Sequence, residues 1–433
     1  MKPIFEGAYY KKTMLIAVFF YALCLIPFPS IAKVVYSAFI LGSLPLFYIH
    51  RNKVFKDPVI FILILAIAIQ ILSWLNSIFY YPGFASGAPK IDRLAKLFSF
   101  FLLAYWLKGS SKNVYILWGC LILGFFFGSI IHTPDFFMEI TNGYAGRRVD
   151  FGIKNSQFTS MFSGIAFLIT LFFMRQLYKS KLFLHSSNTL KVLSLSLLIT
   201  VSFITVFLLI TSQSRQVWLA IFITATLAPL FYLLSFKKSS KKTVFIGYLI
   251  LSLSVLLVSQ SDVIQQRSSG ESGTFSSILS GDFDNIPMTS IGIRVNSWIE
   301  AASWVKKHPI IGTDSSSIAE VIQQSDKFSE NLKGHFGHLH NYHIETLVAY
   351  GVIGLLIVYS LYYWVIRSLL ISSRKNSNIE AFLFFSLVFV TFWFVVNFFE
   401  TFNARRYGVY AQNIMLAGFY TFYLTDSLNR EEK

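Results

Sequence analysis

The chain reads as an all-α polytopic membrane protein of about twelve transmembrane helices with one large helical loop outside the membrane, and three observations carry that reading. Of its 433 residues 55% are hydrophobic and 18% aromatic, while only 13% are charged, a balance too apolar for a soluble globular chain. Apolar windows long enough to cross a hydrocarbon core of about 30 Å as helix recur along it. Lysine and arginine gather in alternate gaps between those windows, as orientation by positive charge requires.

Taken in order, the windows cover residues 13–28, 34–49, 58–79, 94–107, 113–131, 158–178, 190–210, 216–235, 243–259, 344–366, 379–398 and 408–425. Basic clusters at Lys11-Lys12, Arg51 to Lys56, Lys108 with Lys112, Arg175 to Lys191, Lys237 to Lys242 and Arg367 to Lys375 each fall in every second gap. Those gaps and both termini are then cytoplasmic, and the others face outward. Residues 1–32 end in a signal-like Ser30-Ile31-Ala32, but an uncleaved first helix is preferred because its removal would reverse the parity of every later span. The expected division is nine helices over 1–259, the outer loop over 260–343 and three helices over 344–433.

Cys24 and Cys120 lie inside apolar windows, which leaves no disulfide framework and no thiolate zinc site to read. The net charge of +16 is accounted for by short cytoplasmic loops and anionic membrane lipid, so no nucleic-acid partner is expected.

The outward face is basic where orientation does not ask for it. Arg147, Arg148, Arg215, Arg294, Arg405 and Arg406 all sit in outward gaps, and the planar guanidinium fork suits bidentate phosphate binding. Arg215 is squeezed into the turn Ser212-Gln213-Ser214-Arg215-Gln216 between two spans, where a charge at the membrane boundary is a functional candidate. Asp262, Asp282, Asp284, Asp314 and Glu400, also outward, are expected to be solvated or salt-bridging. Within the loop, residues 294–308 show helical apolar spacing that stops at Pro309, and 317–324 open on a Ser317-x-x-Glu320 capping box. Both read as amphipathic helices lying as a lid over the membrane part. The Ser- and Gly-rich stretch from Arg267 to Asn285 reads as a mobile loop.

His340-Asn341 precedes the tenth window, with Gly351 and Gly354 further along it. If 339–366 is one helix, steps of about 100° bring Gly351 within roughly 20° of His340 and Gly354 about 40° to the other side. One stripe would then carry all three, and its glycines would admit a close neighbouring helix. His335, His338, His340 and His343, with Glu345 nearby, could instead hold zinc, but the spacing is not a known ligand pattern and no metal is expected. Aromatic runs such as Phe125-Phe126-Phe127, Phe392-Trp393-Phe394 and Phe398-Phe399 are expected to face lipid or the interface.

Three anchors match a known family. They are Ser214-Arg215-x-x-Trp218-Leu219-Ala220, Arg294-x-x-x-Trp298 leading to His308-Pro309-Ile310-Ile311-Gly312, and His340-Asn341 with Gly351-x-x-Gly354. On them the chain resembles the bacterial O-antigen ligase and O-antigen polymerase superfamily of lipid-linked-glycan transferases, and the last anchor is similar to the ligase branch. Arg147 to Asn155 is similar to a further family segment but lacks the proline that usually follows Asn155.

The resemblance implies a GT-C-like membrane enzyme of the bacterial inner membrane. It implies inverting glycosyl transfer, without metal or cofactor, at the periplasmic face. The donor would be an undecaprenyl-diphosphate-linked glycan, and the acceptor a sugar hydroxyl of the lipid A-core oligosaccharide. Arg215 and Arg294 would stabilise the departing diphosphate. His340 would accept the acceptor's proton, since imidazole ordinarily titrates near neutrality. Arg147, Arg148, Asn341, Arg405 and Arg406 would help to bind substrates. The rivals are an O-antigen polymerase, an O-linked protein oligosaccharyltransferase and a flippase or transporter. The last would carry ionisable residues buried mid-span and broken helices, whereas these windows are nearly free of charge.

Overall fold

The computed structural model describes residues 5, 7–259 and 272–429, and all regular structure among them is helical. The helices are α1 (Ala8–Cys24), α2 (Pro29–Ile49), α3 (Pro58–Tyr80), α4 (Asp92–Ala95), α5 (Phe100–Leu107), α6 (Ser111–His132), α7 (Phe136–Tyr144), α8 (Ser156–Lys179), α9 (Asn188–Thr211), α10 (Arg215–Ser235) and α11 (Lys241–Ser259). There follow α12 (Ser272–Ser280), α13 (Ser290–Lys307), α14 (Ser317–Gln323), α15 (Glu330–His335), α16 (Tyr342–Lys375), α17 (Glu380–Phe398) and α18 (Arg406–Asn429), with short helical turns between some of them. Helix occupies most of each of the twelve predicted windows, although the first stops at Cys24 and the fourth is not continuous. By length and composition 8 of the described helical segments could cross a membrane, so the chain is an all-α polytopic membrane protein.

Among the described residues, gaps expected to face the same way meet one another, at two separate ends. At one end Gln213 Nε2 donates to Gly146 O (2.7 Å), Arg406 to Pro29 O (2.9 Å) and the Tyr342 N–H to Glu400 O (3.3 Å). At the other, Lys53 Nζ donates to Leu428 O (2.8 Å), Lys375 pairs with Asp426 (3.3 Å) and Arg175 lies over the Phe236 ring (4.3 Å). The arginines of the outward gaps therefore share one end of the bundle.

Two expected spans are broken. The fourth window is not one helix: α4 passes through a 3-10 turn, Lys96–Phe98, into α5. The freed backbone groups are taken by side chains from outside. Gln70 Oε1 accepts from the Leu94 N–H (2.9 Å) and Asn413 Oδ1 from the Phe100 N–H (2.9 Å), while Gln412 and Asn413 donate to the carbonyls of Leu97 (3.2 Å) and Lys96 (2.9 Å). Broken backbone survives among apolar helices only when it is satisfied in this way.

The second break overturns the glycine stripe. His340 lies outside α16, whose cap is Asn341, and Gly351 leaves helical geometry at φ 61°, ψ −166°. No continuous helix carries His340, Gly351 and Gly354 on one face. The partner at Gly351 is the loop after α13: a Cβ there would overlap the backbone of Ile310 and Ile311, and one on Gly312 that of Ala349 and Tyr350. Four hydrogen bonds join the two strands of chain, from the N–H groups of Thr313 to Val348 O (3.1 Å), Asp314 to Ala349 O (2.9 Å), Val352 to Pro309 O (2.9 Å) and Ile353 to Ile310 O (3.2 Å). Gly354 makes room for Tyr350 of its own helix rather than for a neighbouring one.

Other expectations also give way. Ser317 does not cap α14: its hydroxyl donates back to Thr313 O, while the carboxylate of Asp314 accepts from the N–H groups of Ser315 and Ser316. Asp314 is buried and also accepts from Ser86 and the Ser316 hydroxyl, so it is neither solvated nor salt-bridged. Part of the expected mobile loop is helix α12, anchored by a Thr274–Thr289 hydroxyl contact at 2.7 Å; residues 267–271 lie outside the described residues. Of the aromatic runs, Phe127 and Phe398 are exposed, but Phe125, Phe392 and Trp393 are core, with Phe125 stacked on Phe162 at 5.5 Å.

Candidate active site

Three of the sequence-predicted arginines converge. Arg148, Arg215 and Arg294 line one small polar cavity of about 60 Å³ together with Gln157, Gln213, Gln216 and Ser290. Each arrives on a different element. Arg215 opens α10 after a turn in which Gln213 adopts φ 50°, a left-handed conformation that costs a non-glycine residue energy. The turn is clasped by Arg148 Nε donating to Ser212 O (3.2 Å), the Val149 N–H donating to Thr211 O (3.2 Å) and Trp218 Nε1 donating to Leu209 O (2.9 Å). Arg294 projects from the second turn of α13, one turn before Trp298.

Trp298 ties that helix to the histidine. Its Nε1 donates to Leu339 O (2.8 Å), next to His340, and the Leu339 N–H donates to Glu345 Oε1 (3.0 Å). Glu345 is buried and paired with Arg93 (3.2 Å). His340 itself is held at φ 50°, so the turn that aims it is strained and clamped on both sides. Asn341 is fully buried, and its Oδ1 accepts from the N–H groups of His343 (3.0 Å) and Ile344 (3.1 Å). It is the N-cap of α16, so the side chain expected to help bind substrate also holds the turn beside His340.

The four histidines do not form one cluster. His335 is exposed at the end of α15, and His343 is buried with Nε2 facing Phe394 O (3.2 Å) and Nδ1 facing Tyr359 Oη (3.2 Å). Only His338 and His340 meet, with ring centroids 4.1 Å apart, and the acid beside them is Glu400 rather than Glu345. Glu400, expected to be solvated or salt-bridging, is buried, with Oε2 3.3 Å from His340 Nδ1 and Oε1 3.9 Å from His338 Nε2. Burial would raise its carboxyl, but the His340 hydrogen bond and charge, the Thr401 N–H and His338 outweigh that and hold it below the usual carboxylate range. Burial first, and then the charges of His340, Arg405 and Arg294, push the His338 imidazole down. The polar atoms of His338, His340 and Glu400 lie within 4.8 Å of one another, close enough to reach a common cation. Arg294 and Arg405 act on the same spot, and their charge favours anions there.

The other expected residues spread out. Arg405 is half-buried and bears on His338 and Glu400's surroundings, whereas Arg406 is exposed and holds Pro29 O. Arg147 is exposed, with Nη1 donating to Asn142 Oδ1 (3.2 Å), and does not line the cavity. Sequence reasoning missed Glu400 as a site residue, and missed Gln157, Gln213, Gln216 and Ser290. An acid closing an apolar span on an otherwise basic face was the available signal for Glu400; the glutamines carried none.

The fold and the site together define a class: a multi-pass helical membrane protein with a guanidinium-lined cavity beside an imidazole–carboxylate pair, all at one end of the bundle. Such a site suits a phosphate-bearing ligand and a proton acceptor. Residues 200–359 match the family model described as O-antigen ligase, so this stretch of the chain is similar to that family. The matched stretch holds Arg215, Arg294, His340, Gly351 and Gly354; Arg148, Glu400 and Arg405 lie outside it. No curated protein matches the chain significantly.

Proposed function

We propose that the chain is an O-antigen ligase, transferring glycan from undecaprenyl diphosphate to a sugar hydroxyl of the lipid A-core oligosaccharide at the periplasmic face of a bacterial inner membrane. The observation that carries this is the convergence of Arg148, Arg215 and Arg294 on one cavity, with Trp298 of the Arg294 helix bonded to the residue before His340. The acceptor hydroxyl oxygen attacks the anomeric carbon from the face opposite the diphosphate. As the carbon–oxygen bond to the diphosphate breaks, its electron pair leaves with undecaprenyl diphosphate, and the arginines stabilise the charge that gathers there. The hydroxyl proton passes to His340. Inversion follows from the single displacement.

The test is transfer in vitro with purified protein, undecaprenyl-diphosphate-linked O-antigen and lipid A-core, with EDTA present. Wild type gives lipopolysaccharide-sized product and His340→Ala gives none. Lengthening of the donor-linked glycan, with nothing on the lipid A-core, would make the chain a polymerase. The two helix breaks are a mark that a transporter also carries, so a flippase stays a reading to exclude. It would move the donor across a vesicle membrane and release no glycosylated product.

A further inference from the structure

We propose that Glu400 is the positioning residue for His340, holding the imidazole through Nδ1 so that Nε2 is the atom left to accept the acceptor's proton; this rests on the reading of His340 as the base. Glu400 lies in the link between α17 and α18, about sixty residues from His340 in the chain and beyond the stretch that matches the family model. The fold brings the two together at 3.3 Å with the carboxylate only 4% exposed. The carboxylate is itself fixed from both sides: its Oε1 accepts from the Thr401 N–H (3.2 Å), and its main-chain carbonyl accepts from the Tyr342 N–H (3.3 Å).

The tautomer follows from the donor and acceptor inventory. An ionised carboxylate can only accept, so the His340 Nδ1 that faces it carries a proton, and neutral His340 then has its lone pair on Nε2. The charged groups around the pair support an ionised Glu400. Arg405 leads into α18, Arg294 projects from α13, and Lys154 lies in the link before α8; all three are cationic, and against them stands Glu345 of α16. His338, the other neighbour, is disfavoured as a cation by burial and by those arginines, which leaves the Glu400 charge to His340. At 3.3 Å the bond is at the long end, as such contacts are before substrate closes on them. During transfer the hydroxyl proton binds Nε2, the imidazolium that forms is stabilised by Glu400, and Glu400 takes no proton.

Two measurements test this on the full-length protein in detergent. With ¹⁵N-labelled histidine, and the His340 signals assigned by their loss in His340→Asn, wild type shows His340 protonated at Nδ1 and Glu400→Gln shows the proton redistributed toward Nε2. In the transfer assay Glu400→Gln lowers kcat by about 100-fold or more while the donor KM stays within about twofold; Glu400→Asp recovers part of the loss. An unchanged His340 tautomer in Glu400→Gln overturns the proposal. So does a parallel rise of KM and loss of thermal stability with no selective effect on kcat. If Glu400→Gln does not fold, the same comparison is made with Glu400→Asp. Should wild type transfer nothing to lipid A-core, the ligase reading falls, and the tautomer comparison still decides the role of Glu400.

Discussion

Replacing Gly351 with alanine tests whether the junction between the α13 loop and the broken helix α16 holds the site together. At φ 61°, ψ −166° the backbone is in a region almost confined to glycine, where another residue costs about 1–3 kcal/mol. The added Cβ would also overlap the backbone of Ile310 and Ile311, so the loop must retreat. Retreat loosens the bonds made by the Thr313, Asp314, Val352 and Ile353 N–H groups, each contributing roughly 0.5–1.5 kcal/mol. With two of the four lost, the total destabilisation is about 2–6 kcal/mol. Gly312→Ala attacks the same junction from the other side, at φ 65°, so the double variant should cost well below the sum of the two. Gly83→Ala is the control, because nothing lies within 4 Å of a Cβ there, and it should stay within about 0.5 kcal/mol of wild type. Unfolding by SDS titration in mixed micelles measures all four. A Gly351→Ala value indistinguishable from Gly83→Ala, or full additivity with Gly312→Ala, would refute the junction.

The arginines should divide by position. Arg215→Lys and Arg294→Lys, which keep charge but lose the planar fork, should each cut kcat/KM for the lipid-diphosphate donor by tenfold or more, whereas Arg147→Ala and Arg406→Ala, off the cavity, should stay within about threefold. His338 should mark the acid limb of stability. Its folded pKa lies below the 6.5 of the free imidazole, so on acidification from about pH 6.5 the unfolded chain takes up the proton first and stability falls. In His338→Gln that part of the Tm decline should flatten, and an identical decline in both proteins would rule the linkage out.

What the sequence displayed was whatever depends on a residue and its near neighbours. Twenty-residue apolar runs must be helical in lipid, and the parity of basic loops placed Arg148, Arg215, Arg294 and His340 at one end before any contact was known. The sequence could not display what depends on a distant partner. Gly351 looks like a packing glycine within a helix until the Pro309–Asp314 loop is placed against it, and an apolar window such as 94–107 does not betray the amides of Gln70, Gln412 and Asn413 that let it break. Glu400 belongs to the same kind: its meaning lies in a contact about sixty residues away. The four histidines share nine residues of sequence, yet His340 faces Glu400 while His343 faces Phe394 O, a division that only distant partners reveal.

The Gly312–Gly351 junction also behaves as a weld. Arg294 and His340 stand on two arms, helix α13 and the turn that opens α16, which are fastened at one end by the paired backbones and near the other by Trp298 on Leu339 O. Two ties restrain the frame against hinging about either one alone. The span from guanidinium to imidazole is thus constrained by the folded chain itself, which lowers the cost of ordering the two arms when a substrate binds there.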